Sequence, residues 1–166
     1  MEAEKFRPLI GVFGFVAVST ASITYFRSDY SIMSIGKTFM SMFFLTFGSF
    51  KLYNLEGFRE AFMNYDPVAE KSSLYATLYP FLEVSIGLLY FLLLHVSFQM
   101  LAISVFSLTI LLMVMNGSGV LHALREGRDL QCACLGNVFN VPMTWVTLTE
   151  DSLMALMAFW MLLSVI

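Results

Sequence analysis

Charged residues are scarce in this chain, and long uncharged runs take their place. Of its 166 residues, 13% are charged and 58% are hydrophobic, whereas a soluble domain carries about 25% charged residues. So few charges cannot cover a surface that faces water, and the composition therefore predicts an integral membrane protein. The sequence also has no basic stretch suited to nucleic acid, which excludes that class of partner.

The motifs of common soluble enzymes are missing as well. The sequence contains no nucleophile elbow, phosphate-binding loop, dinucleotide fingerprint or zinc-protease motif. It therefore does not favour an enzyme in the usual sense. The reaction that it could support is at most thiol–disulfide exchange.

Five segments are apolar and long enough, or nearly so, for a helix that crosses the hydrocarbon, which takes about 20 residues. The first follows Lys5 and Arg7, as a signal peptide would, but its apolar run is longer than a signal core and we expect it to be retained. Continuous runs of this length do not suit the strands of a membrane barrel. The predicted fold is an all-α transmembrane bundle of four core spans plus an extra N-terminal span, at residues 8–26, 35–53, 74–94, 96–115 and 143–166.

The connections between these spans divide the chain further. Residues 95–99 are too few for anything but a tight turn, so the third and fourth spans should form an antiparallel hairpin. In residues 54–73, Leu55, Phe58 and Phe62 share one helical face. This predicts either a short helix at the membrane interface or an extension of the second span packed on its neighbours. We expect an N-terminal unit at 1–34 and a membrane domain at 35–166.

The lysines and arginines predict an orientation, because cytoplasmic loops carry an excess of them. With five spans, seven of these residues fall on one side and two, Arg27 and Lys37, on the other. The N-terminus and the stretch "CACLG" at 132–136 are therefore predicted in the cytoplasm, and the C-terminus outside. The predicted location is the inner membrane of a bacterium. The seven are Lys5, Arg7, Lys51, Arg59, Lys71, Arg125 and Arg128.

The chain has two cysteines, Cys132 and Cys134, and they lie one residue apart. They could simply be two small buried residues. As a dithiol they could instead close into a small strained ring, and strained disulfides exchange readily with other proteins. Gly136 would permit a turn that exposes the sulfurs, and Arg125 and Arg128 could lower a thiol pKa.

The same two sulfurs could also hold a soft metal ion such as Cu(I), Hg(II) or Zn(II). Zinc normally takes four ligands, so Cys132 and Cys134 alone would be an incomplete site. His122 and Asp129 are the candidate further ligands, although each is more often an ordinary interfacial residue.

Three carboxylates lie within predicted spans. Glu83 is near the middle of the third, where a carboxylate costs a few kcal/mol and should face the bundle interior. It could serve a proton or cation relay, anchor a neighbouring helix, or be a neutral group bonded to a hydroxyl. Glu150 and Asp151 could favour the N-terminal end of a helix that starts near Thr147. They could also form an acidic patch beneath the cysteines that pairs with an arginine or a cation.

Three stretches resemble the MauE branch of the DoxX-like membrane proteins: "FGSFKLYNLEGFREAFMNYDP", "LYPFLEVSIGLLYF" and "CACLGNVFNVPMTWVTLTEDSLMALMA". The likeness covers residues 35–166. It implies a four-helix membrane core and a role in maturation of the methylamine dehydrogenase small subunit, which is disulfide-rich and periplasmic. By position it makes Cys132 and Cys134 the active pair and Glu83 the acidic residue of the helix after the loop.

Three hypotheses for function follow. The first is thiol or disulfide exchange between Cys132–Cys134 and a partner membrane or exported protein that has thiols. The second is binding or transport of a soft metal through the same pair, with Glu83 assisting, and the third is a structural membrane subunit. The expected surroundings are the lipid bilayer. A soft metal ion or a quinone is a possible cofactor, and no residue can be assigned to the quinone.

Overall fold

The computed structural model describes residues 7–127, 130–135, 138 and 145–166. Over this part of the chain the protein consists of six helices joined by short links, so the predicted all-α bundle is confirmed. In chain order the helices are α1 (Arg7–Arg27), α2 (Ile32–Tyr53), α3 (Leu55–Phe62), α4 (Ser73–Leu92), α5 (Gln99–Arg125) and α6 (Trp145–Leu163).

Four of these helices, α1, α4, α5 and α6, are long and apolar enough to cross a membrane. Helix α2 is not among the four, although its 22 residues span about 33 Å and would suffice by length. It holds Lys37 and Lys51, which lower its hydropathy, and it packs along α1 and α4. Helices α5 and α6 pack against each other. The chain is therefore a multi-pass membrane protein.

Helix α3 is a separate short helix, as one of the two alternatives predicted for residues 54–73 had it, and it is packed on its neighbours, as the other had it. Phe58 and Phe62 are buried, and the Phe62 ring lies 4.6 Å from that of Tyr79 on α4. The Asn54 side chain accepts a hydrogen bond from the backbone of Gly57 and so caps the first turn. The aromatic face of α3 thus covers the part of α4 that leads to Glu83.

One predicted boundary was wrong. The fourth span was expected to end near residue 115, but α5 continues to Arg125. The sequence signal was Asn116 followed by Gly117, Ser118 and Gly119, which are poor helix formers. Tertiary packing overrides it here, because a Cβ on Gly119 would stand 2.5 Å from the backbone oxygen of Tyr65. Only glycine allows the helix to approach the turn after α3 so closely.

That turn is held by Asp66, which is fully buried. Its Oδ1 accepts hydrogen bonds from the backbone N–H groups of Val68 and Ala69, at 2.9 and 2.8 Å. Burial raises the pKa of Asp66, and the two backbone hydrogen bonds oppose that rise. The turn therefore depends on a carboxyl group that has little contact with water.

At the opposite end of the bundle, two cations bind backbone carbonyl groups in the link between α4 and α5. Arg27 donates to the backbone oxygen of Leu94 at 2.6 Å, and Lys37 donates to that of Leu93 at 3.3 Å. These carbonyl groups follow the last turn of α4, where cations are favourable. The contacts tie α1 and α2 to the end of α4 and so fix the position of α4.

Candidate functional site

The two cysteines form a disulfide in the segment between α5 and α6. Cys132 is 1% exposed, whereas Cys134 is partly exposed. The Cys132 sulfur accepts a hydrogen bond from the backbone N–H of Cys134, at 3.2 Å. It also accepts one from the hydroxyl of Thr147, at 3.7 Å. The Cys132 sulfur is thus buried and accepts hydrogen bonds, whereas Cys134 is partly exposed.

Beneath the disulfide lies a cavity of about 30 Å³. This is about the volume that one molecule occupies in liquid water. Its walls come from α2, α3, α4, α5, α6 and the cysteine segment, so residues far apart in sequence meet there. Besides both cysteines, the polar residues that line it are Lys51, Tyr65, Tyr79, Glu83, Asn116, Thr147, Glu150 and Asp151.

A buried ion pair forms one wall of this cavity. Lys51 Nζ lies 2.5 and 2.6 Å from the two carboxylate oxygens of Glu83, and the side chains are 8% and 5% exposed. The ammonium group also lies 5.5 Å from the ring centroid of Phe58 and 5.3 Å from that of Tyr79. Glu83 therefore has a charged partner on a neighbouring helix. The sequence had pointed to Lys51 only as one of the seven cations counted for orientation.

Glu150 and Asp151 line the same cavity from α6. Because α6 is described from Trp145, both lie in its second turn, and the predicted capping role is wrong. Asp151 accepts a hydrogen bond from the Asn116 side chain at 2.9 Å. Glu150 Oε1 is buried without a hydrogen-bond partner among the described residues. Both carboxylates thus lie beneath the cysteines, as the alternative prediction had them, but Arg125 is exposed at the end of α5.

Of the predicted further metal ligands, His122 does not lie beside the cysteines. His122 is exposed on α5, lies 3.2 Å from Glu126, and does not line the cavity beneath the disulfide. Asp129 lies outside the described residues, as do Arg128 and Gly136. Within the described ranges, no three His, Cys, Asp or Glu side chains are grouped in a way that could hold a metal ion.

Some residues of this site were predicted from the sequence and others were not. It singled out Cys132, Cys134 and Glu83, but not Lys51 or Thr147. A carboxylate inside an apolar span needs a partner, and that rule indicates that a cation lies nearby without saying which one. No pattern in the sequence pointed to Thr147.

These features define a class: a multi-pass helical membrane protein with a disulfide above a buried cluster of charged side chains. A family model described as methylamine utilisation protein MauE matches residues 30–164. The chain belongs to this family, and the predicted resemblance is confirmed. The match begins after α1. Searches of the curated proteins and of the solved structures returned no match to this chain.

Proposed function

We propose that this protein exchanges its Cys132–Cys134 disulfide with the thiols of a partner protein during that partner's maturation. In a methylamine utilisation family, the partner that fits best is the disulfide-rich small subunit of methylamine dehydrogenase. The observation that carries the proposal is the disulfide itself, which has one partly exposed cysteine above a buried polar cavity. Packing alone would explain neither the partial exposure of one cysteine nor the polar cavity.

The exchange balances in two steps. A partner thiolate attacks one sulfur, the Cys132–Cys134 bond breaks, and a mixed disulfide and a free thiolate form. The second partner thiolate then attacks the partner's sulfur in the mixed disulfide, so that a new disulfide forms in the partner and the second cysteine of this chain is released as a thiolate. The partner loses two electrons, and the cysteine pair gains them with two protons. A membrane quinone is the oxidant class that we propose takes these electrons and restores the pair.

The test uses a methylamine-growing bacterium deleted for its own family member and supplied with variants of this chain. Cys132→Ser and Cys134→Ser should each abolish growth on methylamine, because neither variant can form the disulfide. Ser152→Ala serves as the control, since Ser152 is exposed on α6 and bonds only to the helix backbone. Protein amounts are followed by immunoblot.

The direct readout is the number of disulfides in the small subunit of methylamine dehydrogenase, measured by alkylation and mass spectrometry. Both cysteine variants should leave free thiols in that subunit. A fully oxidised subunit with either variant would refute the exchange role. It would favour a structural role for the protein.

A further inference from the structure

The disulfide is asymmetric, and we propose that its two sulfurs have fixed roles. The partner thiolate attacks Cys134, and Cys132 is the leaving group, whose thiolate is stabilised by the hydroxyl of Thr147 and the backbone N–H of Cys134. The assignment rests on the proposed exchange function and adds Thr147 to it as a catalytic residue.

Access decides which sulfur is attacked. A thiolate must approach the attacked sulfur along the line of the breaking S–S bond, so that sulfur needs open space behind it. Cys132 is 1% exposed and packs within the core, whereas Cys134 is partly exposed. Of the two residues, Cys134 is therefore the more accessible to a partner protein.

The surroundings of Cys132 suit a leaving thiolate. Its sulfur already accepts hydrogen bonds from Cys134 N, at 3.2 Å, and from Thr147 Oγ1, at 3.7 Å. Donors of this kind favour the charged form of a thiol and lower its pKa. A thiol of lower pKa leaves faster in disulfide exchange. Both donors are in place before the bond breaks, so they need no rearrangement when charge develops on the sulfur.

The described lining of the cavity holds one cation, the ammonium of Lys51, and this cation is already paired with Glu83. The other titratable groups in this lining are Glu150 and Asp151 on α6 and the phenols of Tyr65 and Tyr79. Among the contacts that the described residues make with the Cys132 sulfur, those from Thr147 and from Cys134 N–H are hydrogen bonds that favour its thiolate.

Thr147 differs from the other hydroxyl residues nearby on α6. Thr149 and Ser152 donate to backbone oxygens one turn earlier in their own helix. Thr147 is buried, and its hydroxyl points to the cysteine sulfur.

The test uses the full chain, purified in the oxidised form in lipid nanodiscs, with glutathione as the attacking thiol. Thr147→Val removes the hydroxyl and keeps the shape, so we expect the rate of disulfide opening to fall about tenfold, or about 1.4 kcal/mol. Thr147→Ser keeps the hydroxyl and should recover most of the rate. Thr149→Val is the matched control, because it removes a hydroxyl from the exposed side of the same helix.

A second readout separates chemistry from packing. In a Cys134→Ser background, Cys132 is the single thiol, and its alkylation rate can be followed against pH. Adding Thr147→Val should move the midpoint of this profile upward by about one pH unit, the same tenfold effect. If Thr147→Val does not fold, Thr147→Ala replaces it, with folding checked by thermal unfolding. An unchanged midpoint and an unchanged opening rate would overturn the role of Thr147.

Trapping tests which sulfur is attacked. Cys132→Ser should form a stable mixed disulfide between Cys134 and oxidised glutathione, whereas Cys134→Ser should form one at least tenfold more slowly. Equal or reversed rates would overturn the assignment. The assay needs no partner protein, so its failure is distinct from failure of the proposed function, which is read in cells from the maturation of the partner.

Discussion

The buried pair of Lys51 and Glu83 offers the sharpest test of how this bundle is held together. We consider Glu83→Met, Lys51→Met and the double variant that combines them. Each single change removes one charge and leaves the other inside the protein. The double change removes both and fills the space with apolar atoms. The expected order of stability therefore puts both single variants below the double variant.

The magnitude follows from the geometry. Lys51 Nζ lies 2.5 and 2.6 Å from the Glu83 oxygens, and both side chains are nearly inaccessible. Leaving one charge of such a pair uncompensated costs about 3–5 kcal/mol. For Lys51→Met the ceiling is about 4 kcal/mol, the cost of protonating an ordinary glutamate at neutral pH. For Glu83→Met we expect about 3 kcal/mol, because the Phe58 and Tyr79 rings still face the ammonium group.

Thermal unfolding in detergent micelles measures the effect. A loss of 3 kcal/mol should lower the melting temperature by about 6–12 °C in a chain of this size. The double variant should lie within about 2 kcal/mol of the wild type, because apolar replacement of a buried pair is often neutral. Lys37→Met is the control: Lys37 donates to Leu93 O, so its combination with Glu83→Met should be additive. A double variant at the sum of its single losses would refute the pairing.

Two further predictions concern the turn that packs on α5. Gly119→Ala should destabilise the protein by about 1–3 kcal/mol, because the new Cβ would stand 2.5 Å from Tyr65 O. Gly117→Ala is the control and should be tolerated, since its Cβ would stand 3.6 Å from the nearest atom. Thermal unfolding compares the two variants. Asp66→Ala should cost about 1–2 kcal/mol for two lost hydrogen bonds. Because burial raises the pKa of Asp66, the wild type should lose stability relative to Asp66→Asn as the pH rises through that pKa. Thermal unfolding of both proteins across pH measures this difference. If the melting temperatures of the two proteins change equally with pH, the prediction is wrong.

The helices were largely predictable because their signal is local. Runs of about 20 apolar residues dictate spans whatever the neighbours are, and α1, α4 and α6 lie where those runs lie. The C-terminal end of α5 was not predictable from Asn116, Gly117 and Gly119. These residues weaken a helix in isolation, and the gain that offsets this cost is a contact with Tyr65, over 50 positions earlier in the chain.

The residues of the site also fall into those that were predictable from the sequence and those that were not. Cys132 and Cys134 are conspicuous by rarity and spacing, and Glu83 by its apolar surroundings, so sequence alone singled them out. The partners of these residues depend on which helices become neighbours. Lys51 meets Glu83 because α2 packs along α4, and Thr147 meets Cys132 because the cysteine segment folds over the start of α6. No spacing rule within one helix encodes such contacts.

The membrane side of the cysteines decides where the partner is met, and the structure sharpens that prediction. Of the seven cations that were counted on the cysteine side, Lys51 is neutralised by Glu83 inside the protein. Removing it leaves six against Arg27 and Lys37, so the rule for positive loops still predicts cytoplasmic cysteines. The proposed maturation of a periplasmic subunit requires the opposite side. The charge count and the proposed function rest on different residues and predict opposite sides for the cysteines. One measurement decides between them.

That measurement is thiol labelling in intact cells with a membrane-impermeant maleimide, with and without prior reduction, and with a permeant maleimide as the control. The charge count predicts labelling of Cys132 and Cys134 by the permeant reagent alone. Exchange would then act on a partner in the cytoplasm or the membrane. Labelling from outside, and only after reduction, would refute the orientation predicted from charge. That result would also put the disulfide on the side where the proposed maturation of a periplasmic subunit requires it.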